Sequence, residues 1–250
     1  MKYSIVIPTY NHCDDLLKPC IESIFKYTDM TDVELIVSAN GCTDNTKWYL
    51  DSLKYQFDSL GFGNHFKIVW DDKPLGYAKA CNAGIRACST EKVILFSNDC
   101  ILLHQEKNTW LHLFEKPFIE NDKCGVTCVV KAHSSEANRD FAIFFCVMID
   151  GKVFDAIGLV PEDYGAGGCE DVDFCIQAED AGFEVIECLE KYLVNEELFS
   201  GNFPIYHMGE GTVHDESLVP NWGDTFWKNK LKIARKYNPE WPPLKELEND

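Results

Sequence analysis

Ser4-Ile5-Val6-Ile7-Pro8-Thr9-Tyr10-Asn11 is the stretch that decides the fold. Residues 3–7 form a short apolar run rich in β-branched side chains, which reads as a buried strand. Pro8 ends the run, and polar residues follow it. From Asp14 to Tyr27 the period changes. Leu17, Cys20, Ile21, Ile24 and Phe25 recur at helical spacing, with Pro19 early enough to be tolerated. A buried strand, a polar loop and a helix in that order open an alternating α/β chain.

The alternation continues outward. Val33 to Val37 is a second strand, and Asn40-Gly41-Cys42-Thr43-Asp44 is a turn whose Thr43 or Asp44 can cap a helix running to Phe57. Phe66 to Trp70 is a third strand. Pro74-Leu75-Gly76 leads into a small-residue helix through Ala87, and Val93 to Phe96 is a fourth strand. Strands that alternate with helices predict a parallel sheet with right-handed crossovers, and such sheets hold ligands at the carboxyl ends of their strands. Thr9, Asn11, Asn40 and Asp99 lie just past such ends and are expected to converge on one crevice. Beyond Asp99 the pattern loosens. It predicts a helix over Asn108–Phe118, strands over Val126–Val130 and Phe141–Ile149 with a polar loop between them, and a glycine-rich link at Gly165–Gly168. Val172, Cys175, Ile176 and Ala178 then form a helical stripe ending at Gly182. A short strand covers Glu184–Cys188, and a tail helix over Asp224–Tyr237 is ended by Pro239, Pro242 and Pro243.

Bulk properties narrow the function. With 250 residues, 46% of them hydrophobic, the chain can bury a real core. Its 41 acidic and 23 basic residues give a formal charge of −18, which repels nucleic acid and anionic lipid surfaces. No run approaches the ~20 apolar residues of a membrane span, and Met1-Lys2 leads into neither a signal peptide nor an anchor. A cytoplasmic location is the expectation. The 12 cysteines form no C-x-x-C pair and many sit in apolar runs, so they read as reduced core residues.

Four polar signals close apolar runs and carry the chemistry: the Pro8–Asn11 loop, Ser97-Asn98-Asp99, Gly168-Cys169-Glu170-Asp171 and Tyr206-His207-Met208-Gly209. A carboxylate at a strand end suits a hard divalent cation, and one at a helix start can accept a proton. The stretch 4–11, the turn 40–44, Gly76-Tyr77-Ala78-Lys79-Ala80-Cys81-Asn82-Ala83-Gly84-Ile85 and Glu170-Asp171-Val172-Asp173 occur in order. Together they resemble the family 2 glycosyltransferases of the GT-A fold, from Ser4 to about His214.

The resemblance implies a Rossmann-like, mostly parallel sheet flanked by helices, with a smaller mixed sheet on the acceptor side. It implies one catalytic domain over residues 1–220, divided into a nucleotide-sugar half (1–100) and an acceptor half (101–220), with a C-terminal helix and tail over 221–250. The implied reaction is inverting transfer from a nucleotide-diphosphate sugar, a UDP-sugar by expectation, to a hydroxyl of a glycan, lipid-linked or protein acceptor. Asp171 is then the base and Glu170 its acceptor-binding neighbour. Asp99 and His207 hold Mn2+ or Mg2+, with His214 the rival histidine ligand. Pro8, Thr9, Tyr10, Asn11, Asn40, Asp72, Gly76, Lys79 and Asn98 are the expected donor contacts. Two departures stand out. Ser97-Asn98-Asp99 keeps one charged residue where the family has Asp-x-Asp, and Ala39 stands where many members carry an aspartate for uracil. Asp173 is expected to be structural.

The tail helix, with Trp222, Phe226, Trp227 and several lysines, is read as packed on the catalytic domain rather than as a peripheral membrane contact. Two other functions compete. A nucleotidyltransferase making nucleotide-sugars would carry a basic, glycine-rich loop after its first strand, where this chain has Pro8-Thr9-Tyr10-Asn11-His12-Cys13. A catalytically inactive nucleotide- or sugar-binding module would need only the weakened Ser97-Asn98-Asp99.

Overall fold

The computed structural model describes residues 1–188, 203–209 and 221–244. The chain runs through β1 (Tyr3–Thr9), α1 (Lys18–Tyr27), β2 (Val33–Asn40), α2 (Thr46–Ser59), β3 (Phe66–Asp71), α3 (Tyr77–Arg86) and β4 (Lys92–Phe96). It continues through β5 (Cys100–Leu102), α4 (Thr109–Glu120), β6 (Cys124–Cys128), β7 (Lys131–Ser134), β8 (Arg139–Ala142), β9 (Cys146–Asp150) and α5 (Gly151–Ile157). Then follow α6 (Glu170–Asp180), β10 (Glu184–Glu187), β11 (Ile205–His207) and α7 (Trp222–Tyr237).

Seven strands form one sheet in the order β10-β6-β9-β4-β1-β2-β3. β1 pairs in parallel with both β2 and β4, and all of its residues are buried. Its unbroken apolar run is what a strand covered on both faces requires. Successive side chains serve opposite faces. Ile5 and Ile7 join a core with Leu17 just before α1, Ile21 and Ile24 of α1, and Trp110 and Phe114 of α4. Val6 joins a second core with Ala78, Cys81 and Ile85 of α3 and Phe174, Cys175 and Ala178 of α6. The result is three layers. The small residues of α3 have a steric reason: a Cβ at Gly84 would lie 2.3 Å from Val6 Cγ1.

Pro8 lies inside β1, which runs two residues past the expected strand. Its pairing with β4 stops at Val6–Leu95, so its missing N–H breaks no ladder on that side. The helix expected from Asp14 begins as a π-helical turn, Cys13–Leu17, with Leu17 N–H donating to His12 O at 3.0 Å. Pro19 has no N–H for the first α turn, and the wider turn precedes it. The N-cap of α2 is Asn45 rather than Thr43 or Asp44; Asp44, one residue earlier, accepts from Thr46 N–H at 3.1 Å and Cys13 N–H at 2.9 Å.

Past Asp99 the strand expectations need correction. The polar loop near 131–140 is the hairpin β7–β8, and the single strand expected over Phe141–Ile149 is split between β8 and β9. β9 runs antiparallel to both β4 and β6. That one reversed strand makes a continuous sheet of the two halves. The short β5 and β11 pair so that His207 faces Cys100, beside Asp99. Among the described residues, no helix is long and apolar enough to cross a membrane.

Candidate active site

A cavity of about 780 Å3 opens where β1, β2 and β4 end. Pro8, Thr9, Tyr10, Asn40, Asn98 and Asp99 line it from the strand ends, and Gly76 and Lys79 from the start of α3. Glu170, Asp171 and His207 close it from the second half. Two expected contacts lie elsewhere. Asn11 and His12 both adopt left-handed backbone (φ 55° and 57°), and Asn11 Oδ1 accepts from Thr43 N–H at 2.7 Å, tying two loops together. Asp72 is exposed and accepts from Trp70 Nε1 at 2.8 Å. His214 lies outside the described residues.

A lattice of amides fixes the strand ends. Asn40 Nδ2 donates to Thr9 O at 2.8 Å, and its Oδ1 accepts from Leu75 N–H at 2.8 Å. Asn98 Nδ2 donates to Thr9 Oγ1 at 3.0 Å. Asn40 therefore serves as a brace between β1 and the loop before α3. Gly76 sits where that loop meets the glycine-rich segment. Its φ is 82°, and a Cβ there would lie 2.2 Å from Gly165 O. The next N–H, of Tyr77, donates to Ala166 O at 2.9 Å.

Asp99, 6% exposed, forms the second corner. Its Oδ1 lies 3.3 Å from His207 Nε2, and its carbonyl accepts from Met208 N–H at 3.0 Å. The His207 ring stacks on Phe145, with centroids 4.4 Å apart and planes 11° from parallel. Ligand atoms of Asp99, Cys100 and His207 all lie within 4.8 Å of one another. Burial holds the Cys100 thiol well above its ordinary range, so it stays protonated. A carboxylate oxygen and an imidazole nitrogen remain, a donor pair that suits manganese better than magnesium.

Glu170 and Asp171 start α6, yet the helix N-terminus does not dominate their ionisation. Burial raises both carboxyls, and the charge of Asp171 raises Glu170 further. Asp171 keeps stabilising hydrogen bonds from the backbone of Val172 and Phe144. Glu170 Oε2 is buried with no hydrogen-bond partner. Charge therefore settles on Asp171 and the proton on Glu170. The approach to this pair is strained: Gly165, Gly167 and Gly168 have φ of 68°, 148° and 91°, and Cys169 follows at 76°. A non-glycine residue in left-handed backbone beside buried acids is a feature of functional sites.

Contacts link the two corners. Phe145 stacks on His207 while its neighbour Phe144 reaches Asp171, and the Tyr77 hydroxyl donates to Phe144 O. None of these aromatics was among the expected site residues, and a Phe-Phe doublet near a strand carries no signal beyond burial. α7 also reaches the cavity, through Trp222, Phe226 and Lys230. Their spacing of four residues puts them on one helix face in the sequence, but nothing local says what that face covers. The dock is polar: Asp173 accepts from Tyr164 OH at 2.8 Å, Gln177 Nε2 at 2.8 Å and Lys236 Nζ at 2.6 Å. Asp173 is structural, as expected, and α7 packs on the catalytic core.

Residues 4–145 match the model for Glycosyl transferase family 2. An uncharacterized protein of Sinorhizobium fredii (strain NBRC 101917 / NGR234), y4gI, is 22% identical over 218 residues, covering 72% of this chain and 23% of that protein. A mannosyltransferase of Pyrobaculum calidifontis, PcManGT, solved with GDP-Man and Mn2+, aligns with a TM-score of 0.59 at 16% identity. The alignment covers 77% of this chain and 58% of that one. GalNAc-T7, solved with UDP, GalNAc and Mn2+, aligns with a TM-score of 0.61 at 14% identity, covering 75% and 42%. The chain thus spans under two thirds of each of these proteins. The structural likeness shows the fold, the GT-A arrangement of a mostly parallel sheet between helices. With more than half of its length matched, the chain belongs to glycosyl transferase family 2.

Proposed function

We propose that the protein is an inverting, metal-dependent glycosyltransferase that moves a sugar from a nucleotide-diphosphate donor to an acceptor hydroxyl. One observation carries the reading: a buried acid pair whose burial raises both pKa values and an Asp99–His207 corner face the same cavity, joined through Phe144 and Phe145. The donor lies over the ends of β1, β2 and β4. Asp99 and His207 would hold a divalent cation, which neutralises charge on the departing diphosphate. Asp171 accepts the acceptor's hydroxyl proton as the new C–O bond forms on the face of the anomeric carbon opposite the diphosphate. The bond to the diphosphate breaks with its electron pair, so the configuration inverts.

A base with a raised pKa accepts a proton better than an ordinary aspartate near neutral pH, which favours a catalyst over an inactive binding module. The nucleotidyltransferase reading is not supported, because the loop after β1 has no lysine or arginine for a triphosphate. The donor base is proposed to be a pyrimidine, with UDP as the first probe. Asn40 cannot read it freely, since both ends of its amide are engaged. The presence of manganese with GDP-Man in one structural neighbour and with UDP in another supports the metal role. The test is calorimetric titration of UDP and GDP with and without manganese, on wild type and Asp99→Asn. Manganese-dependent binding that is lost in Asp99→Asn is expected. Equal affinity in the two proteins would remove Asp99 from the metal site, and tighter GDP binding would overturn the uridine assignment.

A further inference from the structure

Trp222 and Phe226 are stacked, with centroids 5.6 Å apart and planes 16° from parallel. Both line the cavity, and Phe226 is still 37% exposed. Their seat is specific. A Cβ at Gly168 would lie 2.8 Å from Phe226 Cδ2 and 3.0 Å from Trp222 Cη2, so the pair rests directly on the loop that leads to Glu170. Buried Asn229 locks this seat, donating to Tyr164 O at 2.9 Å, Gly167 O at 3.0 Å and Gly168 O at 3.0 Å. Traced by contacts, the wall runs from Asp99 through His207, Phe145, Phe144 and Asp171 to the aromatic pair. The pair therefore adjoins the loop that leads to the acids, which Asp99 reaches through His207, Phe145 and Phe144.

We propose that this wall is the acceptor subsite and that it takes a neutral carbohydrate, a reading that rests on the transfer reaction above. A pyranose offers an apolar C–H face and a rim of hydroxyls. Rigid aromatic rings bind such a face at small entropic cost, having only two side-chain torsions each. Polar partners stand at the rim: Lys230 Nζ lies 5.4 Å from the Phe226 ring centroid and 2.7 Å from Glu136 Oε1. Charge argues against an anionic acceptor. The charged carboxylates Glu136 and Asp171 line this part of the cavity, and Lys230 is already paired with Glu136. A lipid phosphate or an acidic glycan would meet carboxylates there, inside a chain of net charge −18.

The experiment applies the labelled full chain to an array of neutral, sialylated and phosphorylated oligosaccharides, and separately to vesicles carrying polyprenyl phosphate. Neutral oligosaccharides are expected to be retained. Trp222→Ala and Phe226→Ala should each weaken that retention about tenfold, the effect of losing one aromatic contact. Phe226→Tyr should preserve it, as should Trp48→Ala on α2, where a more exposed aromatic lies outside the cavity. UDP and manganese titrations on the same proteins report whether each variant is folded. Absence of neutral-glycan binding, preference for acidic glycans or lipid phosphate, or wild-type retention by both alanine variants would each overturn the subsite. Neutral-glycan binding without nucleotide binding would instead sink the transfer reading and leave the subsite standing.

Discussion

Glu170 and Asp171 are chain neighbours with different surroundings, and that difference divides their roles. A helix N-terminus stabilises carboxylates, so position alone would make both of them strong acids. Desolvation works against this and prevails, raising both. The sequence shows two acids at a helix start; it does not show that the loop before them and the strand behind them exclude water. Linkage makes the consequence measurable. A carboxyl whose pKa is higher in the folded chain binds protons more tightly there than when unfolded. Stability therefore falls as pH rises from its ordinary value, 4.5 for Glu170, through the raised one. Glu170→Gln is expected to melt higher than wild type at neutral and alkaline pH and to lose most of that decline. Asp171→Asn should cut turnover at least ~100-fold, the low end of general-base contributions, while leaving nucleotide affinity in place. In wild type the acid limb of the rate profile should sit above the ordinary aspartate value of 3.8. Melting curves that fall equally with pH in wild type and Glu170→Gln would remove the neutral-buried assignment. Near-normal turnover in Asp171→Asn would move the base elsewhere.

At the scale of elements, the first half was legible because each element carries its own period. β1 to β4 and α1 to α3 lie within a few residues of their expected places, apart from the π turn that Pro19 accompanies. Later elements depend on partners. β5 and β11 are three residues each and exist because they pair, and the β7–β8 hairpin is too short and too polar to announce itself. α7 was legible as a helix, with its lysines and aromatics in plain view, but its docking through Lys236 on Asp173 and through Asn229 on Tyr164 is a tertiary fact. The entry to α3 lies between these cases. Gly76 belongs to a recognisable motif, and its reason is the approach of Gly165 O from the other half. Gly61 offers a matched comparison, since its φ is 79° and nothing lies within 4 Å of the Cβ it lacks. Gly61→Ala should cost only left-handed backbone strain, about 1 kcal/mol. Gly76→Ala adds a clash with backbone and should cost at least ~2 kcal/mol, because the 74–76 and 165–166 loops must part. Urea denaturation of the two variants separates the effects. Equal losses would mean that the contact across the cavity contributes nothing.

At the scale of the whole molecule, the cavity lies across a seam. Its proposed metal corner is built by the end of β4 and by β11, its proposed base by the start of α6, and another wall by α7. The antiparallel β9 stitches these parts into one sheet, and Phe144 and Phe145 lie just before that strand. Ordering at one corner therefore has a direct path to the other: His207 on Phe145, Phe144 to Asp171, and Tyr77 bonded both to Phe144 O and to Ala166 O. Nucleotide with manganese touches the first corner alone in the proposed arrangement. Hydrogen exchange then gives a clear expectation. Amides at the ends of β1, β2 and β4 should slow through direct contact. Amides of residues 165–168 should slow as well, although no part of the nucleotide need reach them, because the loop is held through Tyr77 and Phe144. Tyr77→Phe should keep the first protection and lose the second, since it removes the hydroxyl that donates to Phe144 O. Protection confined to the strand ends in wild type would mean that the base loop is ordered independently of the donor. In that case the acceptor, arriving on the α7 side, would have to supply the ordering itself.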